Sequence, residues 1–208
     1  YNLDYNRFYY DTINNPIQNR NRVITSPTSN ILFLLYSGNK YVITKKNDYL
    51  GYELIEKIGS NKIYKTEGAL PIAYAIKNTI GIDEFSKMDY PKKAIALLKN
   101  AIIEGKTDTD FQSNIEELEI DLSKLKVKNA TLKEENGHYI LEAGKEATGK
   151  MPLPEELKDK IIFIRFRVEE SAPCKKGDTG ITIEGVENKL TCKEWKYHNQ
   201  NYDFDYVI

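Results

Sequence analysis

Lys160–Val168, KIIFIRFRV, is the strongest strand signal in the chain. Its β-branched and aromatic residues suit a pleated, half-buried surface. Its second half sets Phe163, Arg165 and Arg167 against Ile164, Phe166 and Val168, a period of two. Downstream lie Thr179–Glu184, Lys189–Cys192 and Tyr202–Val207, short strands at turn-like spacing. That spacing predicts a sandwich or barrel. Upstream, Thr131–Lys133 and Tyr139–Leu141 flank Glu134-Glu135-Asn136-Gly137, and Asn-Gly predicts a tight primed turn. Ile115–Val127 alternates as well and reads as a strand.

The first half is mixed. Asn30 is placed to cap a short helix, Ile31–Tyr36, that Gly38 ends. Lys40–Thr44 reads as a strand, and Tyr52–Ile58, Gly59-Ser60-Asn61 and Lys62–Lys65 read as a hairpin. Ile72–Ile76, after Leu70-Pro71, reads as another strand. Pro91 suits a first helical position, and Ala94, Ile95, Leu97, Leu98, Ala101 and Ile102 have amphipathic helical spacing. The predicted fold is α+β. A mixed α/β N-terminal portion, 1–108, has its main helix near 91–104; an antiparallel β-sandwich-like portion, 109–208, follows. Residues 1–30 read as an irregular, Tyr-rich leader that lies on something else, and 108–114 as a linker.

Composition narrows the function. Thirty Lys and Arg balance 31 Asp and Glu, so no global field draws the chain to nucleic acid. The longest apolar stretch, Ile31–Tyr36, falls far short of the ~20 residues of a membrane helix. Fifteen Tyr against 7 Phe and 1 Trp point to strands and wet recognition surfaces. The chain opens on Tyr1, and the expectation is a soluble piece of a larger protein.

Catalytic motifs do not emerge. There is no G-x-S-x-G, H-E-x-x-H, P-loop or G-x-G-x-x-G, and neither His138 nor His198 is spaced to act with a cysteine. No catalytic residue, metal or organic cofactor is therefore expected. Glu117, Glu119 and Asp121 would share one strand face, which reads as a solvated surface. Arg165 and Arg167 suit either an anion or cross-strand ion pairs. Asp178-Thr179-Gly180 matches the aspartic-protease triplet, but with no second copy it is set aside. Cys174 and Cys192 form a disulfide if the compartment is oxidising; the alternative is two reduced thiols.

One segment stands out as a candidate ligand site: Trp195, Tyr197, Asn199, Gln200, Asn201, Tyr202 and Asp203. Flat rings stack on the C–H face of a sugar while amides and a carboxylate bond its hydroxyls. The plainer reading, favoured by how a lone Trp usually behaves, puts Trp195 in the core and makes the rest an ordinary loop.

Phe33-Leu34-Leu35-Tyr36-Ser37-Gly38-Asn39-Lys40-Tyr41-Val42-Ile43-Thr44 resembles the LL-x-x-G-x-KY-x-I segment of the YfhO family of bacterial membrane proteins. Gly51-Tyr52 and Ile63-Tyr64 follow at the family's spacing. Leu70-Pro71-Ile72-Ala73-Tyr74-Ala75 resembles its LP step, and Gly185-Val186-Glu187-Asn188-Lys189-Leu190-Thr191 its G-x-x-N-x-L element. The matches run over roughly residues 31–195; the leader and 105–135 are not matched. The resemblance implies a non-catalytic, extracytoplasmic domain of a polytopic protein similar to lipid-linked-sugar-dependent glycosyltransferases of the Gram-positive envelope. The implied partners are an envelope glycan such as teichoic acid, which the domain would bind or orient, and the membrane-embedded part of its own chain. The catalytic acid would belong to a loop outside this chain. The other function class is a scaffold that docks a partner protein or a second copy through the Tyr-rich leader.

Overall fold

The computed structural model describes residues 30–105, 107, 111–170, 174 and 177–208, with 4, 8, 12 and 13 of the leader. The leader's expected docking role and all of its tyrosines lie outside the described residues. The fold is α+β, with short helices and antiparallel strands in several sheets. The chain divides into two compact units, 1–114 with 161–208, and 115–160. This differs from the boundary expected at 108/109, because the C-terminal strands share cores with the N-terminal helices.

In the first unit, helix α1 (Ile31–Tyr36) begins at Asn30, whose Oδ1 accepts from the backbone N–H of Leu32 (3.0 Å) and Phe33 (3.3 Å). Its Nδ2 donates to Ile13 O at 2.8 Å, tying the leader to the helix start. Ile31, Leu32, Phe33 and Leu34 are all buried, which suits the all-apolar run. Gly38 ends the helix at φ +73°, and a Cβ there would lie 2.9 Å from Leu70 O, so both conformation and space require glycine. Asn30→Ala removes a cap and orphans a buried carbonyl. It should cost about 1–2 kcal/mol of unfolding free energy in urea denaturation.

Strands β1 (Tyr41–Thr44), β2 (Glu53–Ile58) and β3 (Asn61–Lys65) form an antiparallel sheet in the order β1-β3-β2. The β2–β3 hairpin matches the sequence expectation and carries a bulge between Leu54 and Glu56. Tyr64 is buried, and its hydroxyl donates to Lys46 O at 3.1 Å; the Tyr52 hydroxyl likewise donates to Asn39 O. Much of the tyrosine excess therefore serves the interior, where ring area is buried and the hydroxyl finds a carbonyl.

Two expectations fail here. Ile72–Ile76 is not a strand, and Ile72 is fully exposed. The strand falls later, at β4 (Thr79–Gly81), which pairs in parallel with β5 (Ala101–Ile103). The helix expected over 91–104 spans only Lys92–Lys99; α2 (Ile82–Lys87) precedes it, making it α3. Asn100 turns extended, and the backbone N–H and Nδ2 of Asn100 both donate to Ala96 O (2.9 and 3.0 Å). Ala101–Ile103 then completes the edge of β4, a partner that local periodicity does not reveal.

The C-terminal part of this unit is a small two-layer packing. β8 (Phe163–Arg167) pairs with β11 (Asp203–Val207), and β9 (Asp178–Ile183) pairs with β10 (Val186–Thr191), both antiparallel. Val186, Leu190, Phe204 and Tyr206 form their shared core, with Ile164, Phe166, Ile181 and Ile183 against it. Tyr206 Oη donates to Ile181 O at 2.9 Å, and buried Asn188 donates from Nδ2 to Asp205 O at 2.9 Å. Burial pushes the phenols of Tyr206 and Tyr90 well up. At the other end of β8 and β11, Phe163 packs edge-on to Tyr90 (5.9 Å) and Val207 enters the core of α1.

The second unit holds one long ribbon, β6 (Lys126–Glu135) paired antiparallel with β7 (His138–Lys150). Asn136 and Gly137 both have positive φ, the primed turn expected of Asn-Gly. The strand expected over 115–127 begins only at Lys126; residues 115–121 are irregular and a 3-10 turn covers Leu122–Lys124. Asp121 caps that turn by accepting from Ser123 N at 3.0 Å, a use of its carboxylate that competes with an extended backbone. Glu117, Glu119 and Asp121 therefore do not line a strand face.

Candidate functional site

The aromatic–amide segment lies on a loop between β10 and β11. Cys192, the residue after β10, is bonded to Cys174, with Cα atoms 5.2 Å apart, inside the usual disulfide range. Trp195 N–H donates to Cys192 O (3.0 Å) and His198 N–H to Trp195 O (2.9 Å), so the loop folds on itself in successive tight turns. His198 Nδ1 lies 2.7 Å from Thr191 O and Nε2 2.9 Å from Tyr202 Oη. With a carbonyl on one side, Nδ1 donates and Nε2 accepts the tyrosine hydroxyl.

The two asparagine amides are consumed by this framework. Asn199 Nδ2 and Asn201 Nδ2 both donate to Lys189 O (2.8 and 3.1 Å). Asn199 Oδ1 accepts from Thr191 N (3.2 Å) and Asn201 N (3.0 Å). Asn201 is buried. These two residues hold the loop to the end of β10. Gln200 is exposed at a positive-φ turn position. Tyr202 is half-buried, its ring faced by the Arg167 guanidinium at 5.1 Å. Exposed Asp203 begins β11, 3.9 Å from Arg167 Nη1.

Of the segment's rings, Trp195 and Tyr197 are the exposed ones. They are 38% and 55% exposed, so Trp195 is not the core residue of the plainer reading. Their rings meet edge to face, 5.4 Å apart at 82°. Lys196 Nζ sits 4.7 Å from the centre of the Tyr197 ring, a cation–π contact that the sequence reading did not single out. The adjacency of Lys196 and Tyr197 in sequence was the available signal. The arrangement offers ring faces and one cation on a loop already held in shape, which suits a weakly polar ligand with flat apolar faces.

Arg165 and Arg167 take the cross-strand alternative. Each stands opposite an aspartate in the β8–β11 register, Arg165 with Asp205 (3.3 Å) and Arg167 with Asp203; Arg167 also meets Glu169 at 2.9 Å. Glu170 Oε2 accepts from Lys193 N (3.1 Å), while its Oε1 is buried without a hydrogen-bond partner. One carboxylate oxygen of Glu170 and the sulfurs of Cys174 and Cys192 lie within 4.8 Å of one another. With both sulfurs in the disulfide, neither is a thiolate, the form that binds a metal or attacks a substrate. No helix among the described residues is long and apolar enough to cross a membrane. Comparison with protein-family models, curated proteins and solved structures gave no match for this chain.

Proposed function

We propose that the chain is an extracytoplasmic domain of a YfhO-like membrane protein and that it binds a polymeric envelope glycan, such as teichoic acid, for an enzyme centre carried elsewhere. The observation that carries the binding reading is the exposed Trp195–Tyr197 pair on a disulfide-anchored, internally hydrogen-bonded loop. A disulfide suits an oxidising compartment, which supports an outer-face location. The family reading is supported by how the fold uses the resembling residues. Leu34 is buried, Gly38 turns the chain out of α1, and Asn188 and Leu190 sit in the C-terminal core. Binding through two rings is weak at each site, and a repeating polymer multiplies it.

The test is titration of the chain with teichoic acid and neutral envelope glycans. Trp195→Ala together with Tyr197→Ala should weaken binding about tenfold, the size of two lost stacking contacts. The wild-type interaction should persist at moderate salt, where purely ionic attraction fades. Unchanged affinity in the folded double variant overturns the assignment of the site.

A further inference from the structure

Three electron-rich side chains converge where the chain leaves β10. A carboxylate oxygen of Glu170 and the sulfurs of Cys174 and Cys192 lie within 4.8 Å of one another. Glu170 Oε1 is buried, and among the described residues no donor reaches it. A buried acceptor left without a donor is costly, and a cation satisfies it as well as a hydrogen does. The surrounding backbone holds these groups without help from the S–S bond. Lys193 N–H donates to Glu170 Oε2 at 3.1 Å, and Cys192 N–H donates to Gly177 O at 3.1 Å. A Cβ at Gly177 would lie 3.9 Å from Cys192 Sγ, so glycine leaves that flank of the sulfur open.

We propose that in the reduced chain Glu170, Cys174 and Cys192 bind a zinc ion, so that metal and disulfide are alternative clamps on the same loop. Reduction takes two electrons from a dithiol or a phosphine. The S–S bond breaks and each sulfur gains a proton, while the dithiol becomes a disulfide or the phosphine takes the oxygen of water. Zinc then displaces both thiol protons to solvent and forms two Zn–S bonds and one Zn–O bond. Tetrahedral zinc bonded to sulfur and carboxylate sets two such ligand atoms about 3.5–3.8 Å apart. The three groups already converge to within 4.8 Å, so only the sulfurs must part. With Cα atoms 5.2 Å apart, rotation about χ1 achieves that without moving the backbone. Water takes the fourth position. Two thiolates select a borderline-soft ion over magnesium or calcium. The Lys193 N–H bond to the second oxygen of Glu170 orients the carboxylate toward the metal. No metal is expected from the sequence because positions 170, 174 and 192 match no ligand motif; the fold alone brings them together.

The inference does not rest on the glycan reading. Its test uses the 208-residue chain, reduced with a phosphine, freed of metal and dialysed against zinc, with far-UV circular dichroism as the folding control. Metal analysis should find one zinc per reduced chain and none on the oxidised chain. Cobalt(II) in place of zinc should give thiolate-to-metal charge-transfer absorption. Zinc should raise the urea midpoint of the reduced chain. It should also return Trp195 emission toward that of the oxidised chain, because Trp195 N–H is bonded to Cys192 O. Cys174→Ser with Cys192→Ser should abolish binding. Glu170→Gln keeps the side chain's shape and both thiols. It should weaken zinc binding about 100-fold, the upper end of the cost of losing a supporting partner, since here a ligand itself is lost. That variant separates a three-ligand site from a bare dithiol. A reduced chain that binds no zinc, unchanged affinity in Glu170→Gln, or zinc binding that moves neither midpoint nor emission overturns the proposal.

Discussion

Phe204→Ala should lower the unfolding free energy by about 3–5 kcal/mol, the cost of deleting a fully buried aromatic ring. Phe204 is 0% exposed and lies where the β8–β11 and β9–β10 pairs face each other, with its ring 6.0 Å from that of Phe166. Among the described residues neither two-stranded sheet has a third strand to lean on, so the core between them is what makes both persist. Urea denaturation followed by circular dichroism measures the loss. Ile43→Ala is the comparison: Ile43 is 70% exposed, and its replacement should stay within about 0.5 kcal/mol. Equal effects at the two positions would mean that the two-layer packing does not hold this region together.

Removing the Cys174–Cys192 bridge should have the next largest effect. Its cysteines are 18 residues apart, and closing a loop of that order restricts the unfolded chain by about 3 kcal/mol. Cys174→Ala with Cys192→Ala, or reduction with dithiothreitol, should lower the urea midpoint accordingly. Trp195 is the sole tryptophan and lies three residues after Cys192, so its emission reports directly on the loop. Emission should shift toward that of solvated indole before the main transition, and glycan affinity should fall with it. An unchanged midpoint in a chain whose thiols titrate as free would overturn the argument.

The two predictions touch parts of the molecule that differ in how readable they are from sequence. The Asn30 cap, the Gly38 stop, the Gly59-Ser60-Asn61 hairpin and the Asn136-Gly137 turn were all legible. Each depends on contacts within a few residues, where backbone sterics and short side-chain hydrogen bonds decide the outcome. The alternation of KIIFIRFRV was legible for the same reason, because period two divides a strand into its faces wherever the strand is placed.

Tertiary structure decided what periodicity leaves open. The spacing through Ile102 is that of an amphipathic helix, yet the helix stops at Lys99. The chain resolves as strand from Ala101 because Thr79–Gly81, some twenty residues earlier, presents an open edge. Residues 161–208 join the N-terminal unit because Val207 and Phe163 complete the core around α1 and Tyr90, a contact between segments far apart in the chain. At the candidate site, composition placed rings and amides together, but not their division of labour. Asn199 and Asn201 are turned onto Lys189 O by the closure of the loop, and the same closure leaves Trp195 and Tyr197 in water. A backbone carbonyl is a strong acceptor, and which side chains supply its donors depends on the three-dimensional path of the loop.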